Sequence, residues 1–226
     1  MPGALRCTIS SQRSDSGLTP LYLFGCINEI GAVQKADNVS GLLGESSLKS
    51  YIQQLLPKLP NGFLLRIGLD DFKKINEKLG TDYGDRILKQ TADDISSCIL
   101  PGQKIYRVQS DEFIVLDFAG GTEAIAIDLY KRIRSFISKF VADNHYEAVF
   151  TISAGLLTSE NIIQHTYSDI MKYSDFSLNE AKRQGKNLCY IFQQADYDKF
   201  CRRQELTKIL RQSINEGFNG FEAYFQ

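Results

Sequence analysis

Apolar residues recur along the chain with two periods, about 3.6 and 2, and each predicts its own kind of element. Residues 1–20 are polar and poor in periodicity, and residues 21–28 read as one short strand. Over 47–56, Leu48, Ile52, Leu55 and Leu56 share one helical face; Pro57, Pro60, Asn61 and Gly62 stop that helix. Phe63–Leu69 is a nearly continuous apolar run, as expected of a strand covered on both faces. Asp70 or Asp71 can then cap a helix that aligns Phe72, Ile75 and Leu79 and ends at Gly80. Tyr83-Gly84-Asp85 leads into a longer helix striped by Ile87, Leu88, Ala92, Ile95 and Ile99. After a turn at Pro101-Gly102, residues 104–108 and 113–118 read as a hairpin whose tip is the polar run Gln109 to Glu112. An amphipathic helix over 122–141, a strand over 148–155, a helix over 169–183 closed by Gly185, a strand over 187–192 and a helix over 197–216 complete the chain. From residue 63 the strands and helices alternate as in an α/β domain, with no internal repeat.

Composition narrows the class. The chain has 226 residues and 43% hydrophobic content, enough for one domain of roughly 150–180 residues with flanking pieces. Its 26 basic and 27 acidic residues are balanced and unclustered, which argues against a nucleic-acid surface and an electrostatic membrane anchor. No apolar run approaches the ~20 residues of a membrane span, and the start, Met1 to Arg6, is unlike a signal peptide. Cys7, Cys26, Cys98, Cys189 and Cys201 show no C-x-x-C spacing and read as free thiols of a reducing cytoplasm. His145 and His165 lie far from other metal-ligand types, so a zinc site is not expected.

Candidate chemistry gathers where a strand ends at Leu69-Asp70-Asp71 and where the hairpin tip carries Asp111-Glu112. If those strands are neighbours, carboxylates meet a helix N-terminus: the amides suit phosphate and the acids suit Mg²⁺. The alternative is structural, with two capping aspartates and an acidic turn.

Several motifs decide the direction. Asp70-Asp-Phe-Lys-Lys-Ile-Asn76, then Gly80, then Tyr83-Gly84-Asp85, resembles the D-x-D-x-F-K-x-x-N-D…G-H…G-D segment of the GGDEF family. Arg107-x-x-x-Asp111-Glu-Phe113 resembles its R-x-G-G-D/E-E-F signature. Thr151-Ile-Ser-Ala-Gly155 is similar to its T-x-S-x-G strand. Tyr173-Ser-Asp175 and Ala181-Lys182-x-x-Gly185-Lys186-Asn187 match its A-D…A-K-x-x-G-R-N. The similarity covers residues 37–194. Before it, 1–36 resembles the end of a PAS sensor domain and its linker; after it, 195–226 resembles a linker helix and the start of an EAL phosphodiesterase domain.

The resemblance implies an adenylyl-cyclase-like α/β (α+β) fold with a mostly antiparallel five-stranded sheet, the signature on a hairpin, and flanking helices. It implies two half-sites in a homodimer, each taking one GTP with Mg²⁺. Phe72 and Lys73 would cradle phosphates through backbone amides, Asn76 and Asp85 would bind guanine, and Lys182 and Lys186 would reach the triphosphate. As plain structure, Asn76 is a surface helix residue, Asp85 an N-cap, and the lysines solvated helix-end charges. Asp111 and Glu112 correspond to the signature acids, with Asp111 and the Leu69 backbone as metal ligands. Arg107 reads as a salt-bridge residue.

Three departures stand out. Gly68 occupies the position of the family's first metal-binding aspartate, which weakens the metal site and leaves Asp111 and Glu112 vestigial. Gln109 and Ser110 replace both signature glycines, where side chains should crowd a ligand or reshape the turn. The product-inhibition motif R-x-x-D is replaced by Leu100-Pro101-Gly102-Gln103. The expected function is therefore a degenerate, inactive domain that binds GTP or dimerises to regulate an attached EAL phosphodiesterase. An active cyclase and a ligand-free transmission module are the alternatives.

Overall fold

The computed structural model describes residues 4–13, 20–30, 36–56, 61–145, 147–162 and 166–218. They form two units, Met1–Lys35 and Ala36–Gln226. Pro57, Pro60, His165 and the segment from residue 219 onward lie outside the described residues, as do the side chains of Cys7 and Cys26.

The first unit is an antiparallel hairpin of β1 (Ala4–Arg13) and β2 (Pro20–Ile30). β1 corrects the reading of residues 1–20 as aperiodic. Leu5, Cys7 and Ile9 alternate with Arg6, Thr8 and Ser10, the period of two that a strand requires.

The second unit runs α1 (Glu45–Leu55), β3 (Phe63–Leu69), α2 (Phe72–Leu79), α3 (Thr81–Cys98), β4 (Lys104–Gln109), β5 (Glu112–Asp117), α4 (Glu123–Asp143), β6 (Ile152–Thr158), α5 (Ser159–Ile162), α6 (Tyr167–Arg183), β7 (Cys189–Ile191) and α7 (Gln194–Asn215). The sheet order is β4-β5-β3-β6-β7; every pairing is antiparallel except β6 with β7. This is the expected α/β fold, with a five-stranded, mostly antiparallel sheet between helices. No helix among the described residues is long and apolar enough to cross a membrane.

β3 is the central strand and is buried along its whole length. Phe63, Leu65, Ile67 and Leu69 join one apolar cluster with residues of α2, α3 and α4. Leu64 joins the other, with residues of α1 and α6. Truncating such a residue to Ala typically costs about 2–5 kcal/mol. Alternation puts Arg66 and Gly68 on the α6 face with Leu64, and that face builds the site.

Local details differ from expectation. The hairpin loop is shorter than four residues, because Gln109 and Glu112 pair across it, after a register shift between Arg107 and Gln109. Neither Gln109, Ser110 nor Asp111 has positive φ, so the turn closes without the backbone that glycine would permit. β6 starts at Ile152, not at 148; Val149 is exposed. α3 starts at Thr81, so Asp85 is inside the helix and not its N-cap.

Candidate functional site

The C-terminal end of β3 meets the hairpin tip. Gly68 pairs with Glu112, and the Leu69 amide donates to the Asp111 carbonyl at 3.1 Å. Beyond the strand the two aspartates part ways, and neither caps α2 with its side chain. Asp70 is buried: Thr151 Oγ1 donates to it at 2.6 Å, Ser153 Oγ at 2.7 Å and the Asn187 amide at 3.2 Å. It ties β3, β6 and the loop after α6 together, and its oxygens are committed to those donors. Asp71 stands at the N-cap position in left-handed backbone, φ 57°. Its carboxylate faces Lys186 Nζ at 2.6 Å and Lys74 Nζ at 2.8 Å. Those two ammonium groups, Lys186 first, hold its pKa down to about 2. Phe72 and Lys73 head α2, where first-turn amides have no intrahelical acceptor.

Arg66, inside the apolar run, is the residue of the candidate site that the motifs do not mark. It is among the largest fully buried side chains. Its guanidinium donates to Glu112 Oε2 from Nε at 2.7 Å and Nη2 at 2.6 Å, and reaches Asp175 at 3.3 Å and Ser174 Oγ at 3.3 Å. Its signal was available: a lone arginine in a buried strand requires a carboxylate partner. Glu112 is thus a structural ion-pair partner. Over Gly68 lies Lys182: a Cβ built there would come within 3.0 Å of its Nζ and 3.1 Å of Leu178 Cδ2.

Among the described residues Asp111 pairs with no cation; its Oδ1 accepts from Ser110 Oγ at 2.8 Å. Arg107 makes the salt bridge expected of it, to Asp37 at 2.5 Å, and also donates to the Ser110 carbonyl. Magnesium asks for six oxygens at about 2.1 Å, commonly including one or two carboxylates. Position 68 offers none, Asp70 and Glu112 are engaged by buried donors, and Asp71 sits between two ammonium groups whose charge opposes a metal ion. The donor set left, Asp111 and backbone, does not fit the ion.

The residues expected to bind the base are placed differently. Asn76 is half-buried on α2, and its Oδ1 is buried without a hydrogen-bond partner. Gly84 permits this: a Cβ there would stand 1.8 Å from that oxygen. Asp85 is exposed one residue on, bordering a cleft of about 540 Å³ with Tyr83, Arg86 and Phe140. Asn76 is not among that cleft's walls. A second cleft, of about 560 Å³, is lined by Arg66, Gln109 and Asp175.

A family model, "Diguanylate cyclase, GGDEF domain", matches residues 34–188. The "Probable diguanylate cyclase DgcT" of Escherichia coli is 34% identical over 137 residues, 59% of this chain and 29% of that one. The "Cyclic di-GMP phosphodiesterase NbdA" of Pseudomonas aeruginosa is 26% identical over 161 residues, 71% of this chain and 20% of that one. The chain therefore spans less than a third of either relative's length. The diguanylate cyclase SiaD of Pseudomonas aeruginosa, solved with its activator SiaC, superposes with a TM-score of 0.62 at 25% identity, over 69% of this chain and 60% of that one. With the model covering well over half its length, the chain belongs to the GGDEF family, the diguanylate cyclase domain of cyclic-di-GMP signalling.

Proposed function

We propose that this domain keeps guanine-nucleotide recognition, has lost phosphoryl transfer, and regulates an attached EAL phosphodiesterase by binding GTP. One observation carries the reading. The signature acid Glu112 and the carboxylates around Gly68 are engaged in internal contacts, while at the base end Asp85 is exposed on a cleft and enters no ion pair among the described residues. Phosphoryl transfer needs charge stabilisation at the first place; recognition needs a free hydrogen-bonding group at the second. The phosphodiesterase name of a relative similar over 71% of this chain supports the attached partner. Free cysteines at 98, 189 and 201 suit a cytoplasmic setting.

Calorimetric titration with GTP, followed by chromatography of the mixture, tests this. GTP should bind and remain unconverted; cyclic-di-GMP in the mixture would sink the reading. Asp85→Ala should weaken binding by about tenfold or more, the share of a lost charged hydrogen bond, while melting at the wild-type temperature.

A second reading, dimerisation without ligand, is favoured by α7. Leu206, Leu210 and Ile214 are exposed at i, i+4, i+8, with Ile209 beside them. Two such helices from two copies can cover each other's apolar face. Leu206→Glu with Leu210→Glu should then convert a dimer to a monomer in light scattering; an unaltered dimer rules α7 out as its interface.

A further inference from the structure

Lys182 lies over the end of β3 beside Gly68 and stands apart from the ion pairs around it. Arg66 holds Glu112 and Asp175, and Lys74 and Lys186 share Asp71. Among the described residues Lys182 enters no such pair. Its side chain is half-buried, and its Nζ lies 3.0 Å from the point a Cβ on Gly68 would occupy. A partly desolvated ammonium without a counter-charge gains free energy from an anionic oxygen.

We infer that this site takes the phosphates of a guanine nucleotide without a divalent metal, the Lys182 ammonium above Gly68 serving as the fixed cation. The inference rests on the nucleotide-binding reading proposed above. A carboxylate at position 68 would either pair with Lys182 or share a metal beside it; glycine does neither and leaves the ammonium free. Lys186 is a second donor available on exchange. Its partner Asp71 is 37% exposed, and ion pairs in such solvated positions are weak. The leading amides of α2 at Phe72 and Lys73 add hydrogen bonds to the same end of the ligand. Phosphate charge is then met by lysines and amides, and no oxygen cage for magnesium is needed.

The test is GTP calorimetry on the whole chain, once in excess EDTA and once in excess Mg²⁺. The two dissociation constants should agree within about threefold. A loss of about tenfold or more in EDTA overturns metal-free binding while the nucleotide reading stands; no heat in either buffer overturns both. Lys182→Met should weaken binding by about tenfold or more in both buffers alike; an unchanged affinity removes Lys182 from the site. Gly68→Asp meets the flexible end of the lysine side chain and should still fold, as circular dichroism would show. It should weaken GTP binding in EDTA, by pairing with Lys182, whether or not Mg²⁺ restores it, and an unchanged affinity in EDTA counts against the inference. Electron spin resonance of Mn²⁺ added to the nucleotide-free protein should show no bound fraction; a bound ion abolished by Asp111→Asn overturns it.

Discussion

Arg66 shows how one residue redirects a site. Its guanidinium is 2% exposed, against 12% for Glu112, so the pair has left bulk water and depends on mutual contact. Removing one member of such a pair strands the other. Arg66→Met should therefore cost about 3 kcal/mol, read from the midpoint of urea unfolding. Converting Glu112 to Leu in the same chain should recover most of that loss, because a buried pair exchanged for apolar residues is often neutral. If the double variant is no better than the single one, Glu112 is not the partner that matters. If phosphoryl transfer is lost as proposed, restored signature glycines should be insufficient. Gln109→Gly with Ser110→Gly leaves Glu112 in its ion pair and residue 68 without a carboxylate, so no cyclic-di-GMP should form.

At the scale of elements, α6 brings Ser174 and Asp175 to Arg66 and Leu178 and Lys182 to Gly68, and its start fixes their placement. Thr166 and Asp169 form a capping box: the Asp169 amide donates to Thr166 Oγ1 at 3.2 Å, and the Thr166 amide donates to Asp169 Oδ2 at 3.3 Å. The Thr166 hydroxyl is the main reason the Asp169 pKa is lowered. Thr166→Ala should cost about 1 kcal/mol of stability with an unchanged denaturant slope. At its other end α6 passes Gly185 at φ 124°, Lys186 at 64° and Asn187 at 52°. Side chains rarely adopt such backbone, yet here it delivers Lys186 to Asp71 and the Asn187 amide to Asp70. The pattern of glycine after a helix was readable; two further left-handed residues were not, because long-range contacts hold them.

Over the whole second unit, stability should depend on pH through the link between the entry segment and the hairpin. Burial opposes ionisation of Asp37, but the Ser40 amide and hydroxyl and the Arg107 guanidinium outweigh it and hold its pKa at about 2, against 3.8 ordinarily. A depressed folded pKa stabilises above the unfolded value and loses that contribution as pH falls through the folded one. Stability should accordingly drop between about pH 4 and pH 2, and Asp37→Asn should flatten that part of the profile in thermal melts. An identical slope in the variant would place the acid sensitivity elsewhere, with Asp71 the next group to substitute.

Much of this protein was legible without coordinates. A continuous apolar run located the central strand at Phe63–Leu69 to the residue, because burial on both faces removes polar alternation, and apolar periodicity located the helices flanking the sheet except the short α5. Spaced motifs gave the family and marked Gly68 as the missing acid. The N-terminal strand was missed although its alternation was present, and the hairpin loop was drawn too long because polarity does not reveal strand pairing. Only the tertiary structure decided what each charge does. Arg66, Glu112 and Asp175 are far apart in the chain, as are Asp70 and Asn187, or Gly68 and Lys182. Sequence fixes which charges exist, but whether a carboxylate is free for a metal or engaged by a cation depends on contacts a few ångströms long between distant segments. Those contacts exist only once the sheet has brought the strand ends together.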